Sequence, residues 1–279
     1  MPSSFVDFSE TRDYLSVLSG LQNIVIASDY LGYGESSEIL HPYEHGPSLA
    51  LSTYDMLVAA KEFLDQQSIA YNDKLFLTGY SEGGYASMAL HQHIEQNTEI
   101  EVTLSILGGG AYNKSLFAKE IMQKNEPLEF IPNYLWVLFT YNNIYNINEP
   151  LSFYINDEYL TEDIDPNNFL NLDNISTNPQ ELFTENFRNI ILNNESHPML
   201  DALKDNDRFD WNPKADVYLI HGEDDDFVYP SNATTAYEAM RTDENDDNIN
   251  LVILSSPSNH FETAAAFALS IPILINDYK

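Results

Sequence analysis

The sequence predicts an α/β protein, with a mostly parallel sheet covered by helices on both faces. Two observations carry that expectation. Short apolar, β-branched runs alternate with segments of helical periodicity, the pattern of strands joined by crossover helices. The strand-like runs are continuously apolar, as suits strands buried on both faces. A third observation sets a functional turn in this frame. The run Leu75-Phe76-Leu77-Thr78 ends in Gly79-Tyr80-Ser81-Glu82-Gly83, and a helical pattern begins at once.

Taken in order, Ser9 to Ser19 reads as a short helix, with Ser9 as its cap and Gly20 as its stop. Asn23 to Ser28 is expected to be a fully buried strand. It leads into the glycine-rich turn Asp29 to Ser36 and the loop His41 to Pro47. Ser48 to Gln67 is a long helix with Leu49, Thr53, Met56, Leu57, Ala60 and Leu64 on one face. Lys74 to Gly79 is the strand before the turn, and the helix after it runs to about Gln96. Val102 to Leu107 is a further buried strand, ending in Gly108-Gly109-Gly110. Residues 112–212 differ in character: rich in Asn, aromatics and acids, with broken apolar runs and helices whose limits the pattern does not define. The alternation resumes with a strand at Ala215 to Ile220, a helix at Ser231 to Arg241, a strand at Asn250 to Leu254 and a helix at His260 to Ile275. Residues 1–111 and 213–279 therefore form a core and 112–212 an insertion. The insertion leaves the carboxyl ends of the strands, a position suited to roofing a site.

The chain has 279 residues, with 12 basic and 44 acidic side chains and a formal net charge of −32. Such a balance argues against nucleic acid as a partner, since phosphates call for Lys and Arg. It also argues against docking on anionic membranes. Self-repulsion on this scale is relieved by screening cations; a melting temperature that did not rise between low salt and about 1 M NaCl would dismiss a saline habitat. There is no cysteine, which excludes disulfides, thiolate metal sites and cysteine nucleophiles. The N-terminus shows no signal peptide. The longest apolar stretch, Ala264 to Ile275, is too short for stable membrane insertion and contains Pro272.

The Gly-x-Ser-x-Gly turn between a strand and a helix is a nucleophile elbow, which makes Ser81 the candidate nucleophile. A serine hydroxyl needs a base in hydrogen-bond reach, and the base needs an acid to orient it. His260 follows a strand after a short loop, at the same edge of the sheet as Ser81, and is the candidate base. The acid lies between them in sequence, in His221-Gly222-Glu223-Asp224-Asp225-Asp226-Phe227-Val228. Three adjacent aspartates are ambiguous by chemistry alone. The pattern His-Gly-x-x-Asp-x-x-Val favours Asp225 and leaves Asp224 and Asp226 as alternatives. The backbone N–H of Glu82 is one oxyanion donor; a second has no identifiable source. The remaining histidines carry no catalytic signal. His221 closes a strand, His91 and His93 do not share a helix face, His41 and His45 flank a loop, and His197 precedes a proline. Asp243 to Asp247 reads as a solvated acidic loop.

With Ser81, Asp225 and His260 in that order, the chain resembles the α/β-hydrolase superfamily, and within it the secretory lipase-type esterases. The likeness rests on Asp29-Tyr30-Leu31-Gly32-Tyr33-Gly34, His41-Pro42-Tyr43, Gly79-Tyr80-Ser81-Glu82-Gly83-Gly84-Tyr85, His221-Gly222-Glu223-Asp224-Asp225 and Asn259-His260. It implies a three-layer sandwich with a helical cap at 112–212. It implies ester hydrolysis through an acyl-enzyme, without metal or organic cofactor, on a small-molecule or lipid ester, in a secreted or periplasmic protein. Tyr30, Tyr80 and Trp136 are candidates for substrate binding. Phe130, Tyr134, Trp136, Phe139 and Tyr141 either line an acyl pocket or form the insertion's own core. Amide hydrolysis or acyl transfer on the same fold is the alternative chemistry. The family's third strand, with a His-Gly motif that supplies the second oxyanion donor, has no counterpart before Asn23. An N-terminally shortened member is therefore expected, with Met1-Pro2-Ser3-Ser4 as the tail of the missing loop. The sheet then either has a gap or pairs 23–28 directly with 74–79, and a non-catalytic remnant is the third alternative.

Overall fold

The computed structural model describes residues 10–160, 175–242, 247–256 and 258–278. The expectations for Met1 to Ser4, for Ser9 as a cap and for most of the acidic loop from Asp243 lie outside these residues. Helix α1 is Glu10–Gly20, α2 Gly46–Gln66, α3 Glu82–Asn97, α4 Lys114–Gln123, α5 Ile131–Ile144, α6 Leu151–Tyr154, α7 Pro179–Leu182, α8 Glu185–Asn193, α9 Pro198–Asp205, α10 Ser231–Met240 and α11 His260–Asn276. The strands are β1 Phe76–Tyr80, β2 Leu104–Gly108, β3 Asp216–Gly222 and β4 Ile249–Leu254. They form one parallel sheet in the order β1-β2-β3-β4, with Tyr80 opposite Gly108, Gly108 opposite Ile220, and Gly222 opposite Leu254. Reading in register, the carboxyl ends of all four strands lie at one edge.

The chain divides into two compact units. The first comprises the residues up to Pro42, Gly46–Tyr112 and Arg208–Lys279; the second comprises Tyr43–His45 and Asn113–Asp207. In the first unit the side chains of the sheet alternate between two apolar layers, as the period of two requires. Val217 and Leu219 of β3, with Leu107 of β2, pack with Tyr85 and Met88 of α3 and Ala233 and Ala236 of α10. Leu104 and Ile106 of β2, with Ile220 of β3, pack on the opposite side with Phe267, Ile271 and Ile275 of α11. All five residues of β2 are buried, the expectation for a central parallel strand with helices on both faces.

One expected element is corrected. Residues 23–28 form no strand, and Ile24 is 47% exposed. Val25 packs with the α11 layer and Ile26 with the layer of α2 and α3. The apolar run thus sends side chains to both layers without a ladder. Apolar pattern reports burial, whereas a strand also needs a hydrogen-bonded neighbour. β1 is an edge strand that pairs only with β2 among the described strands, and 23–28 carries no ladder, so the direct pairing of 23–28 with β1 is not formed.

The second unit is helical, and four of its helices start at a side-chain cap. Asn113, Asn178 and Thr184 each accept a backbone N–H in the first turn of α4, α7 and α8 through their side chains, and His197 does the same for α9 through Nδ1. Each satisfies an orphan donor of a helix start. Tyr141 on α5 is fully buried and donates its hydroxyl to the Glu44 carbonyl at 2.7 Å. The Glu44 carboxylate pairs with Lys114, both buried.

Candidate active site

The turn after β1 places Ser81 in a conformation that L-residues rarely adopt, φ 58° and ψ −125°. Single residues hold such angles only where their surroundings over-determine them, and functional sites are where this happens. Here the Ser81 N–H is tied to the Gly108 carbonyl of β2 at 2.8 Å. A Cβ on Gly79 would lie 2.1 Å from the Gly83 carbonyl oxygen, and one on Gly84 would lie 2.4 Å from that of Gly108. Gly83 has room, its nearest neighbour being the Tyr30 hydroxyl at 3.9 Å. The tight approach expected of the motif's second glycine therefore falls on Gly84, one residue later.

Three side chains from three loops at the carboxyl edge of the sheet meet in a hydrogen-bonded line. His260 Nε2 is 2.9 Å from Ser81 Oγ, and His260 Nδ1 is 2.7 Å from Asp225 Oδ2. The carboxylate accepts the Nδ1–H, which leaves Nε2 to accept the serine hydroxyl. His260 is the first residue of α11, capped by Asn259, whose side chain accepts the Glu262 N–H at 2.9 Å. A helix start disfavours a cation, so the buried Asp225 carboxylate supplies the compensating charge. The other oxygen of Asp225 accepts the N–H groups of Phe227 at 3.1 Å and Val228 at 2.9 Å. Burial pushes this carboxyl up, but hydrogen bonds from His221 and His260, with their charge interactions, outweigh it and hold it below the usual range.

The three adjacent aspartates are resolved by where they point. Asp225 reaches His260; Asp224 accepts the Ser258 hydroxyl at 2.6 Å and ties down the loop that carries the histidine; Asp226 is exposed. His221 bonds backbone at the end of β3, its Nε2–H donating to the Val228 carbonyl at 2.7 Å. The same nitrogen lies 3.2 Å from Asp225 Oδ2, a second grip on the acid that sequence reasoning missed. The only signal was its place four residues before Asp225.

Of the substrate-binding candidates, Tyr80 has a structural engagement: its hydroxyl donates to the His260 carbonyl at 2.5 Å and its ring lies 5.1 Å from the imidazole. Burial, with the charge of Asp225, raises its phenol well above the ordinary value. Tyr30 is half-buried beside the elbow, and Trp136 of the second unit stacks on Tyr43 at 4.3 Å. Phe227 covers the other side of His260 at 4.9 Å. Glu82 opens α3 with its backbone N–H next to Ser81. His41 donates to the Leu31 carbonyl and pairs with Glu82, a partner set that is not a zinc site. Among the described residues, no three His, Cys, Asp or Glu side chains cluster as metal ligands would.

A second hydrogen-bonded line, serine–histidine–glutamate, lies inside the protein. Ser105 Oγ is 2.9 Å from His91 Nδ1, and His91 Nε2 is 2.9 Å from Glu95. Ser105 and His91 are both 0% exposed, so no substrate reaches them. Glu95 also accepts the backbone N–H groups of Lys214 and Ala215, and the line serves to fasten α3 to the entry of β3.

No family model matches the chain, and no curated protein matches it in sequence. Solved structures do. A candidate hydrolase of Legionella pneumophila superposes with a TM-score of 0.79 at 22% identity, covering 91% of this chain and 69% of its own. The rice cell wall degrading esterase LipA of Xanthomonas oryzae gives 0.72 at 26% identity, covering 87% and 67%. Candida antarctica lipase A gives 0.55 at 16% identity, covering 78% and 51%. These neighbours are hydrolases of the esterase and lipase type, and this chain, with its parallel sheet covered by helices, shares the α/β-hydrolase fold.

Proposed function

We propose that the chain is a carboxylic ester hydrolase that works through an acyl-enzyme on Ser81. The observation that supports this most strongly is the unbroken line from Ser81 through His260 to Asp225, at the strained turn of the elbow. In this reading His260 Nε2 takes the hydroxyl proton as Ser81 Oγ attacks the ester carbonyl. Asp225 holds the imidazole in the required tautomer and stabilises the imidazolium. The tetrahedral oxyanion is met by the Glu82 N–H, at the positive end of α3. Collapse expels the alcohol, which receives the proton from His260. Water, deprotonated by the same imidazole, then frees the acid and restores the serine. Tyr80 keeps the His260 backbone in place rather than touching substrate.

Hydrolysis of p-nitrophenyl esters by the wild type, reduced by a factor on the order of 10⁴ or more in Ser81→Ala, is the expected result. Equal rates in the two proteins refute it. Faster turnover of p-nitroanilides, or acyl transfer to added alcohols in preference to water, reassigns the chemistry within the same site. Among the described residues no helix is long and apolar enough to cross a membrane. The likeness to the esterases extends the proposal to a secreted or periplasmic enzyme; recovery of the native protein from the cytosolic fraction alone contradicts that part.

A further inference from the structure

His41 has no part in the scheme above, yet it is among the most tightly held side chains beside the elbow. Its side chain is 3% exposed. Nδ1 lies 2.7 Å from the Leu31 carbonyl oxygen and Nε2 lies 2.6 Å from Glu82 Oε1. The Tyr33 ring covers it at 4.5 Å and the Tyr30 ring stacks at 6.1 Å. The Leu31 carbonyl and the Glu82 carboxylate, which face the two ring nitrogens, are both acceptors. A neutral imidazole has one N–H and satisfies one of them; the imidazolium satisfies both and makes the buried pair with a carboxylate neutral.

Glu82 is the residue next to the nucleophile and the one whose backbone N–H faces the developing oxyanion. A carboxylate there has two liabilities. An unrestrained side chain leaves the first turn of α3 free to shift. An uncompensated negative charge one residue from the serine repels the negative charge that forms on the carbonyl oxygen, and at a side chain only 19% exposed water screens it incompletely. The His41 contact answers both. It draws the carboxylate to the 31–41 loop and cancels its charge. The Tyr33 phenol, pushed up to about 12 by burial and by Glu82, carries no charge that competes.

We propose that His41 is a positioning residue for ester hydrolysis: as an imidazolium it neutralises and anchors the Glu82 carboxylate, and so sets the oxyanion donor beside Ser81. This rests on the hydrolase reading, and its test has one arm that does not. In the kinetic arm, His41→Gln lowers kcat about 10- to 100-fold, short of the loss of a whole oxyanion donor, with KM within about threefold because ground-state binding is untouched. Adding Glu82→Gln to that variant removes the carboxylate that His41 faced and restores kcat at least about tenfold over the single variant. A double variant no faster than His41→Gln, or a His41→Gln kcat within about threefold of wild type, overturns the proposal. In the second arm, nitrogen-15 NMR of the wild-type protein at pH 8 shows a ring with both nitrogens protonated and through-space contacts to Tyr33. Seven neutral rings overturn the proposal whether or not the enzyme turns over and whether or not the variants fold. A wild type that hydrolyses no ester while this ring is doubly protonated fails the hydrolase reading and leaves the ion pair standing.

Discussion

Gly222 ends β3, and the histidine loop passes directly over it. A Cβ at this position would lie 2.0 Å from the Ser258 carbonyl oxygen and 2.4 Å from Thr263 Oγ1, whereas real Cβ contacts stay beyond 3.0 Å. Gly222→Ala therefore forces the Ser258 backbone to retreat by about 1 Å, and Ser258 is two residues from His260. That displacement takes Nε2 out of the 2.9 Å contact with Ser81 while Asp225 pulls on Nδ1 at 2.7 Å. A misplacement of about 1 Å costs roughly 10²-fold in rate, or about 2.7 kcal/mol of barrier. Overpacking costs about 1–3 kcal/mol of stability, a loss of several degrees in Tm at this size, so the variant stays folded at 25 °C. The assay is kcat/KM on a p-nitrophenyl ester, with Gly20→Ala as control because nothing lies within 4 Å of a Cβ there. A folded Gly222→Ala protein with kcat/KM within about threefold of wild type would refute the reasoning.

Three further outcomes are expected. His221→Phe keeps the ring volume but removes the Nε2–H that donates to the Val228 carbonyl and lies 3.2 Å from Asp225 Oδ2; kcat/KM falls about 3- to 30-fold as the acid and its loop loosen, and an unchanged value shows that the backbone N–H groups alone hold the acid. Lys114→Met removes the ammonium group from the buried Glu44 carboxylate and lowers the unfolding free energy by about 3–5 kcal/mol in urea titrations; Glu44→Gln in the same protein recovers much of the loss, and no recovery contradicts the pairing. Burial pushes the Glu95 carboxyl up, but bonds from His91 and the Lys214 and Ala215 N–H groups hold it below its ordinary value. A depressed carboxylate contributes stability above its unfolded pKa of about 4.3 and loses it as pH falls through the folded value. Glu95→Gln should therefore melt lower than wild type near neutrality, with the gap closing below about pH 4; a constant gap down to pH 3 speaks against the shift.

The sheet and the meeting of Ser81, Asp225 and His260 were legible because each rests on a local signal. A buried parallel strand writes a continuous apolar run, and an elbow writes glycines around a serine. The run at 23–28 shows the limit of the first signal: Val25 and Ile26 are placed as a strand would place them, but the ladder depends on a neighbour that the run itself does not encode. The second unit was not legible because α6 and α7 have four residues each, too short for a periodic stripe, and α7 is delimited by its cap Asn178. Choosing Asp225 from three aspartates rested on a pattern; the reason for it, that Asp224 turns to Ser258 and Asp226 to solvent, is a matter of geometry. Tyr80 reads as a substrate contact by position and is a tether of His260 by hydrogen bond. Pairs such as Glu44 with Lys114, or His41 with Glu82, join residues far apart in the chain and leave no trace in spacing.

The central claim is that Ser81 itself becomes acylated. Brief reaction with a short-chain activated ester, an acid quench and mass spectrometry of the peptides test it most directly. The account predicts an acyl adduct on the peptide containing Ser81, absent when Asp225 or His260 is replaced by alanine. Ester turnover with the adduct on another residue, or with no covalent species while Ser81→Ala remains as active as wild type, contradicts it.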